Sequence, residues 1–457
     1  MIRFIDRERE LDLLERGFRS GRPGLFILYG RRRIGKSRLV LEFLRGKPGV
    51  YYLAEDVHPR LQIRELQQKM AEVLQDSFLQ STELQQWHQL FTYLQKVLPR
   101  TEPWVLALDE FTYLVKNDRS ILGALQRFWD EFAQHTRLMI LLTGSLLGTM
   151  QEEVLSHASP LFGRRTRDLL LQPLALRHAL RFLPQQGMED ALSTVMVLGG
   201  IPEYLLKAAG YATFSEFIRQ EFLDPYGYFY REPYFLLSQE FREIRTYFSL
   251  LSAIAGGYTR PNEIATYVGI EARNLYPYLE ALRNLGFITK LPTWPRKPRK
   301  NVFYLLQDPM LDFWFNFVYP YREQIERRSL RQIPLNRIRT FLGKRFEHLV
   351  RENLSDLIGT DFHQVGKWVE RDEDVDVVAF QEDTRLLLLG ECKWRSGVGV
   401  FATLRALRQR APRVPFWNQA REVRYLLVAK SFRPFSQPLP GDVILLDLEG
   451  IRRRLRA

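Results

Sequence analysis

Two stretches of the sequence combine residue types that could act on phosphate groups. The first runs from Gly30 to Ser37 and reads GRRRIGKS, which is the spacing of a phosphate-binding loop. Glycines let backbone N–H groups approach a phosphate closely, Lys36 would reach the terminal phosphates, and the Ser37 hydroxyl would join Mg²⁺. The predicted nucleotide-contacting residues of this stretch are Gly30, Arg33, Gly35, Lys36, Ser37 and Arg38.

An acidic pair completes this predicted site. Apolar residues carry Asp109 and Glu110 to the carboxyl end of a predicted strand, where α/β sheets place their ligands. We expect Asp109 to hold Mg²⁺ through water and Glu110 to polarise the water that attacks the nucleotide. Ser145 ends the next predicted strand and would sense the γ-phosphate. The alternatives are a solvated loop start at the acidic pair and a plain strand-ending turn at Ser145.

The second stretch lies near the C-terminus. Glu391 and Lys393 are two residues apart on a predicted strand, so their side chains share one face. Asp376 begins the preceding strand, and Glu347 lies on a predicted helix before it. Carboxylate oxygens would hold Mg²⁺ or Mn²⁺, with Asp376 and Glu391 as ligands and Asp374 as a rival ligand that strand parity does not exclude. Lys393 would orient the water for phosphodiester hydrolysis. The alternative is a surface ion pair or a structural, degenerate site.

The elements that must position these residues can be read from the apolar pattern. LFILYG, VYYLA, WVLALDE and LMILLTGS are predicted buried strands, and helical stretches separate them. This alternation predicts a mostly parallel sheet covered on both faces. A helical region follows to about Pro233, and a second α/β pattern begins after the basic connection at 327–339.

The intervening region is predicted to be a helix-turn-helix with a hairpin. Arg273 and Asn274 would face a nucleic-acid groove, although Pro277 predicts a departure from a regular helix. The hairpin tip LPTWPRKPRK places a basic cluster beside Trp294, which suits phosphate contact. The cluster consists of Arg296, Lys297, Arg299 and Lys300. Such modules also dock proteins, so protein docking is the alternative to DNA binding.

Charge and composition narrow the class of protein. Of 457 residues, 53 are Arg and 13 are Lys, and the net charge of +13 divides into +2 for residues 1–235 and +11 for 236–457. Arg pairs well with phosphate oxygens, so DNA is the predicted partner, against the alternative of an Arg-favouring genome. Cys392 is the single cysteine, which excludes a disulfide framework. No stretch suggests a membrane helix or a secretory signal, so we expect a cytoplasmic protein with no membrane partner.

The order of motifs resembles a known family. FIDRERELDLL, YGRRRIGKS, LALDEFTYL, LLTGS, SPLFGRRT and GGIPEYL are similar to the archaeal-type ATPases related to AAA+ proteins, in the STAND-like lineage. The resemblance implies that ATP and Mg²⁺ are bound, that Asp6 and Arg7 border the adenine pocket, and that Pro202 lies in a helical lid near the base. It also implies that Arg164 and Arg165 reach a neighbouring subunit's nucleotide, in keeping with a homo-oligomer. A plain surface basic pair is the alternative.

A second resemblance covers residues 336–457. The order Glu347, Asp376, Glu391-Cys392-Lys393 resembles the PD-(D/E)xK nucleases, with Val375-Asp376 in place of the Pro-Asp pair. It implies the nuclease-like domain that often ends these ATPases.

The prediction is an α/β protein of five parts. They are a P-loop ATPase core (1–172), a helical lid (173–235), a winged helix-turn-helix (236–310), a linker helix (311–335) and a restriction-endonuclease-like α/β domain (336–457). The predicted function is ATP hydrolysis coupled to metal-dependent DNA cleavage in DNA processing or defence. The alternative is a STAND-like nucleotide switch or scaffold that binds DNA or a protein without cutting. Nothing in the sequence identifies a protein partner.

Overall fold

The computed structural model describes residues 4–290, 293–294, 303–329, 335–370 and 373–456. The chain divides into two compact units, Met1–Pro173 and Leu174–Ala457, which are described separately below as unit 1 and unit 2. Within the described ranges, no helix combines the length and apolar character needed to cross a membrane.

Unit 1 is an α/β layer structure. Its strands are β1 (Gly24–Tyr29), β2 (Gly49–Leu53), β3 (Trp104–Asp109), β4 (Leu138–Gly144) and β5 (Arg167–Leu170). Its helices are α1 (Glu8–Arg19), α2 (Lys36–Leu44), α3 (Pro59–Leu74), α4 (Ser77–Ser81), α5 (Trp87–Val97), α6 (Phe111–Asn117), α7 (Ser120–Glu131) and α8 (Leu147–Thr149). A 3₁₀ turn (Ala133–His135) and a π-helical turn (Met150–Val154) complete it.

The sheet of unit 1 has the order β2-β3-β4-β1-β5, and each neighbouring pair is parallel. Every residue of β3 and β4 is buried, as expected for central strands that helices cover on both faces. Side chains of α3, α5 and α7 pack on one face in a core that includes Leu66, Phe91 and Phe128. The predicted parallel α/β sheet is therefore confirmed. The edge strand β5, with its largely exposed sequence RDLL, was not predicted.

Unit 2 contains three sets of elements. Helices of its first part are α9 (Leu176–Leu180), α10 (Met188–Leu198), α11 (Pro202–Ala208), α12 (Phe214–Glu221) and α13 (Tyr228–Glu240). Next come α14 (Arg245–Ala255), α15 (Pro261–Val268), α16 (Ala272–Asn284), β6 (Ile288–Lys290), β7 (Thr293–Trp294), β8 (Tyr304–Leu306), α17 (Pro309–Phe317) and α18 (Arg322–Glu326). The last part has α19 (Leu335–Glu352), α20 (Leu354–Ile358), β9 (Gln364–Glu370), β10 (Glu373–Gln381), β11 (Leu386–Lys393), α21 (Val400–Arg410), β12 (Glu422–Ala429), β13 (Val443–Leu446) and α22 (Leu448–Arg456). Short 3₁₀ turns occupy Tyr319–Tyr321, Ala411–Arg413 and Trp417–Gln419.

An aromatic core joins the first helices of unit 2 to α17. Phe222 stacks on Phe229 with ring centroids 4.7 Å apart, and its edge meets Phe313 at 5.0 Å. The chain enters this unit at Leu174, whose N–H donates to the Gly200 carbonyl at 2.8 Å. A Cβ at Gly200 would lie 2.1 Å from the Leu174 carbonyl oxygen, so this close approach requires glycine.

Helix α10 also contacts the last part of unit 2. The Arg345 guanidinium on α19 donates to the Met196 carbonyl at 3.3 Å, and Lys430 pairs with Glu189 at the start of α10. The predicted lid residues from 174 to 235 therefore pack within the same compact unit as the C-terminal elements.

Helices α14, α15 and α16 are followed by the antiparallel pair β6 and β8. Pro277 lies inside α16, which continues from Ala272 to Asn284. The predicted departure from a regular helix at Pro277 is therefore wrong. The loss of one N–H is tolerated because Leu275, Leu279 and Leu282 bury one face of the helix. The predicted basic hairpin tip, from Arg296 to Lys300, lies outside the described residues.

The C-terminal sheet has the order β13-β12-β11-β10-β9-β7. Strands β9, β10 and β11 are antiparallel, whereas β11, β12 and β13 are parallel and α21 connects β11 to β12. Residues 293–294 form β7, parallel to β9, so Trp294 joins this sheet rather than the β6–β8 pair. A β-bulge interrupts the pairing of β9 with β10 between Val375 and Val378.

Candidate functional sites

The predicted phosphate-binding loop of unit 1 connects β1 to α2. Gly30 has φ 154°, and a Cβ there would lie 2.7 Å from the Leu171 carbonyl oxygen. Gly35 has φ 93° just before Lys36, the first residue of α2. Both conformations favour glycine, so the backbone explains the two glycines of the motif. Lys36 is 4% exposed, and its ammonium donates to the carbonyls of Gly30 and Arg31, each at 3.1 Å.

The remaining predicted loop residues surround this turn. Arg33 adopts φ 67°, Ser37 is half-buried and Arg38 is exposed at the start of α2. Arg7 is buried, and its guanidinium donates to the carbonyls of Gln172 at 2.7 Å and Ile34 at 3.3 Å. Arg7 thus ties the segment before α1 to the loop, whereas its predicted place beside adenine, shared with Asp6, stays a prediction.

Asp109 lies at the end of β3, where neutral donors surround its carboxylate. The Tyr51 hydroxyl donates to Oδ2 at 2.6 Å, while the Thr143 hydroxyl and the Glu110 N–H donate to Oδ1. The same tyrosine interacts with Ser37, and burial together with Asp109 raises its pKa. The two predicted Mg²⁺ ligands, Ser37 and Asp109, are therefore connected through one tyrosine that the sequence did not identify.

Glu110 is held by the strand end that was predicted to sense the γ-phosphate. Its Oε2 accepts hydrogen bonds from the Ser145 N–H at 3.1 Å and the Ser145 hydroxyl at 2.6 Å. Glu110 itself has φ 53°, at the junction between β3 and α6. A Cβ on Gly144 would lie 2.4 Å from the Met150 sulfur, so the strand end and the following helical turn are closely packed. The structure thus brings Glu110 and Ser145 together.

The two predicted finger arginines have partners within unit 1. Arg164 forms a two-point pair with Asp130, with both N···O distances 2.7 Å. Arg165 pairs with Asp168 at 2.7 Å and lies over the Phe162 ring. Either guanidinium would have to leave a carboxylate to reach a neighbouring subunit. Pro202 begins α11 in unit 2, and its role near the base stays a prediction.

Two of the predicted nuclease residues of unit 2, Glu347 and Asp376, contact a lysine of β9. The Lys367 ammonium lies 2.9 Å from Glu347, 2.8 Å from Asp374 and 3.4 Å from Asp376. Three carboxylates from α19 and β10 thus surround one cation. The bulge in β10 occurs opposite Lys367, and bulges commonly redirect side chains in this way.

Glu391 has two cationic partners of its own. Lys393 lies 2.5 Å from Oε1, and Arg410 of α21 lies 2.8 Å from Oε2. Asp376 and Glu391 are buried, with 4% and 7% of their surface exposed. The Asp376 Oδ2 accepts from the Cys392 N–H at 2.9 Å. Sequence reasoning missed Lys367 and Arg410, because neither belongs to the motif and only the fold brings them near.

The carboxylates, lysines and thiol of this cluster shift one another's pKa values. Burial, followed by the nearby charges of Glu347 and Glu391, raises the pKa of Asp376 from 3.8 to about 6. Contacts with the carboxylates outweigh burial and raise the pKa values of Lys367 and Lys393. Burial also raises the pKa of the Cys392 thiol, which keeps it protonated. Across the part of the chain that the structure describes, no group of three or more His, Cys, Asp or Glu side chains is arranged to hold a metal ion.

The predicted groove-facing residues lie on the exposed side of α16. Arg273 and Asn274 are exposed, and Arg273 pairs with Glu271 at 2.5 Å. Tyr276, on the same helix, is 55% exposed. These side chains are accessible to a partner, but the identity of that partner stays a prediction.

Two family models match parts of the chain. One, described as an ATPase domain predominantly from Archaea, matches residues 4–208. The other, described as archaeal and bacterial proteins of unknown function, matches residues 314–407. The second range contains Glu347, Asp376, Glu391 and Lys393, and its description assigns no chemistry to them.

Similar proteins extend this result. The uncharacterized protein MJECL04 of Methanocaldococcus jannaschii is 28% identical over 456 residues, covering 98% of this chain and 99% of its own length. The uncharacterized ATP-binding protein MJ0423 of the same organism is 45% identical over 47 residues, which are 10% of this chain and 80% of that protein. Among solved structures, the Walker-type ATPase PABY2304 of Pyrococcus abyssi aligns with a TM-score of 0.53 at 24% identity, covering 69% of this chain and 96% of its own.

The predicted resemblance to archaeal-type ATPases is thus confirmed for the N-terminal region, whereas the resemblance to PD-(D/E)xK nucleases stays a prediction. Residues 4–208 match an ATPase domain predominantly from Archaea, and the fold is similar to that of a Walker-type ATPase, while the phosphate-binding role of Gly30 to Ser37 stays a prediction.

Proposed function

We propose that the protein binds and hydrolyses ATP in unit 1 and cleaves DNA, with a divalent metal ion, in unit 2. The observation that supports DNA cleavage is that Glu347 and Asp376 share the Lys367 ammonium and that the charge of Glu391 acts on Asp376, with Lys393 beside Glu391. Processing of DNA or defence against foreign DNA would use such a pair of activities.

In unit 1, the ATPase chemistry follows from the order of groups around the loop. Backbone N–H groups of the loop would receive the phosphates, and Lys36 would exchange its two carbonyl partners for β- and γ-phosphate oxygens. Mg²⁺ would neutralise charge between the phosphates, with Ser37 and Asp109 as its protein contacts. Glu110, oriented by Ser145, would accept a proton from the attacking water.

In unit 2, the donor set suits a hard divalent cation. Carboxylate oxygens from Asp376 and Glu391 are the ligands that Mg²⁺ and Mn²⁺ prefer. A bound metal would lower the pKa of a water and stabilise charge on the scissile phosphate. Lys393 would orient that water, and Glu347 would support the arrangement from α19. The carboxylates fit this role only after they exchange cationic side chains for a metal ion.

DNA is the proposed partner on grounds of charge. Residues 236–457 carry a net charge of +11, and α16 exposes Arg273, Asn274 and Tyr276. Arginine contacts phosphate and aromatic rings stack on bases, so this surface suits nucleic acid. We propose a winged helix-turn-helix for α14–α16 with β6 and β8, and a homo-oligomer that brings Arg164 or Arg165 to a neighbour.

One observation favours the second candidate, a nucleotide-dependent switch that binds DNA or a protein without cutting. Lys393 and Arg410 engage both oxygens of Glu391, which is also what a structural ion-pair cluster would show. The two candidates differ in whether Asp376 binds a metal.

The test is a cleavage panel of single-stranded, duplex and branched DNA, with and without ATP and Mn²⁺. We expect Asp376→Asn to lose Mn²⁺ binding and cleavage together. Lys393→Ala should lose cleavage and keep most metal affinity, since an ammonium group is not a ligand. The control is Asp442→Asn, which removes an exposed carboxylate paired with Arg408 in the same unit. Mn²⁺ binding that survives in Asp376→Asn, or no cleavage by the wild type, would favour the switch.

A further inference from the structure

We propose that Lys367 is an internal counter-ion that closes the metal site, and that an anionic strand entering the adjacent cavity draws it away. The inference rests on the proposed nuclease function and adds a regulatory step to it. Metal binding and substrate binding would then be coupled through one side chain.

The two proposed metal ligands, Asp376 and Glu391, already have partners for their carboxylate oxygens. Oδ1 of Asp376 faces the Lys367 ammonium at 3.4 Å, and Oδ2 accepts from a backbone N–H. Oε1 of Glu391 contacts Lys393, and Oε2 contacts Arg410. Every oxygen of the two carboxylates therefore has a partner. Oδ1 is the only oxygen of Asp376 that contacts a side-chain cation, so we expect metal entry to require displacement of Lys367.

The surroundings of Lys367 show where the side chain can go. Lys367 is 27% exposed, and it lines a cavity of about 1000 Å³ within unit 2. Basic side chains of α19 border the same cavity, namely Lys344, Arg345 and Arg351. A phosphate backbone in this cavity would offer the ammonium an alternative anion. Arg351, which donates to the Asp376 carbonyl at 2.6 Å, would remain to hold the strand β10 in place.

The carboxylates behind Lys367 explain why displacement can be favourable. Glu347, Asp374 and Asp376 together carry three negative charges against one ammonium. A divalent cation neutralises more of that charge and accepts oxygen ligands at shorter distances. Because ligands that favour the same state stabilise each other reciprocally, phosphate binding should raise metal affinity, and metal binding should raise phosphate affinity.

The experiment is calorimetric titration of the full-length, nucleotide-free protein with Mn²⁺ alone, repeated with a phosphorothioate oligonucleotide that resists cleavage. We expect Lys367→Met to bind Mn²⁺ at least about tenfold more tightly than the wild type, the equivalent of one competing ion pair. Lys207→Met is the control, because it removes an exposed lysine of α11 in the same unit that does not line this cavity. The oligonucleotide should raise the wild-type affinity and leave that of Lys367→Met nearly unchanged.

Lys367→Gln provides a second neutral variant in case the methionine variant does not fold. Equal Mn²⁺ affinity in the wild type and the folded Lys367 variants, with binding lost in Asp376→Asn, would overturn the inference and leave the proposed nuclease site intact. An oligonucleotide that does not change the wild-type affinity would overturn it as well. No Asp376-dependent binding in any variant would overturn both the metal site and the inference.

Discussion

The nucleotide site and the C-terminal carboxylate site treat their acidic groups differently. In unit 1, Asp109 and Glu110 accept hydrogen bonds from hydroxyl and N–H donors, chiefly those of Tyr51, Thr143 and Ser145. In unit 2, Asp376 and Glu391 contact ammonium and guanidinium groups. Neutral donors fix a carboxylate and leave its charge, whereas cationic partners remove the charge that would attract a metal.

This difference implies that the two proposed sites differ in how readily each would accept a nucleotide or a metal ion. The first site requires only that Lys36 turn from carbonyl oxygens to phosphate. The second requires that a metal ion displace at least one cationic side chain from a carboxylate. Metal binding there would therefore depend on what else can pair with that cation. Four predictions test this comparison.

The largest effect should come from Lys36→Ala. In the proposed site Lys36 would contact the β- and γ-phosphates, so we expect ATP hydrolysis to fall by about 100-fold or more and nucleotide binding to weaken. Steady-state ATPase rates measure the effect. Lys116→Ala is the control, because Lys116 is a half-exposed lysine of unit 1 paired with Asp56. Hydrolysis at the wild-type rate in Lys36→Ala would show that the loop from Gly30 to Ser37 is not the phosphate-binding loop.

The next effect concerns Glu110→Gln. The amide oxygen can still accept from Ser145, so the geometry should persist while the proton acceptor is lost. We expect turnover to fall by about 100-fold with nucleotide affinity retained. Fluorescent-nucleotide titration and turnover, measured on one preparation, separate the two quantities. Loss of binding together with turnover would indicate that Glu110 supports the site structurally.

A smaller effect should appear in the pH dependence of stability. Burial raises the pKa of Asp312 on α17 from 3.8 to about 6, despite Arg345 at 3.9 Å. The folded state therefore takes up a proton before the unfolded state as pH falls, so this carboxyl destabilises the fold above pH 6 and ceases to do so in acid. Because the side chain is 21% exposed, we expect only about 1 kcal/mol.

The measurement is chemical unfolding of the wild type and Asp312→Asn at pH 7.5 and pH 5. The wild type should gain about 1 kcal/mol relative to the variant on going to pH 5. Asp442→Asn, which changes an exposed carboxyl, should show no such difference. A gain toward alkaline pH would reverse the sign and contradict the raised pKa.

The smallest effect is expected for Arg164→Ala. The pair with Asp130 is partly exposed on both sides, so its loss should cost at most about 1 kcal/mol of unfolding free energy. If Arg164 also acts in a neighbouring subunit, the wild-type ATPase rate per molecule should rise with protein concentration and that of the variant should not. Arg16→Ala changes an exposed i,i+4 pair on α1 and serves as the control. Identical concentration dependence in all three proteins would exclude the finger role.

The sequence predicted which residues of the proposed nucleotide site lie together, because most of them are close along the chain or end neighbouring strands. Eight consecutive residues define the loop, and the buried strands that carry Asp109 and Ser145 have apolar runs that are easy to recognise. Tyr51 was missed because it lies 58 residues before Asp109. Only the parallel register of β2 with β3 brings the two side chains together.

The C-terminal site was only partly predictable because its residues are dispersed. Glu391 and Lys393 follow from strand parity, but Lys367 belongs to a different strand and faces Asp376 across a bulge that shifts the register. Strand β5 was missed since an exposed edge strand lacks an apolar run. The course of α16 through Pro277 was misjudged because tertiary packing outweighs the local preference of one proline.

The close approach of Leu174 and Gly200, together with the Arg345 contact to Met196, has a mechanical consequence. These contacts fix both ends of the segment from α9 to α10 within unit 2. A movement of this segment would therefore not be taken up at the predicted domain boundary near residue 235. It would be transmitted along α19, which carries Glu347 two residues beyond Arg345. The helices of the predicted lid would then move together with α19, which carries a carboxylate of the proposed cleavage site.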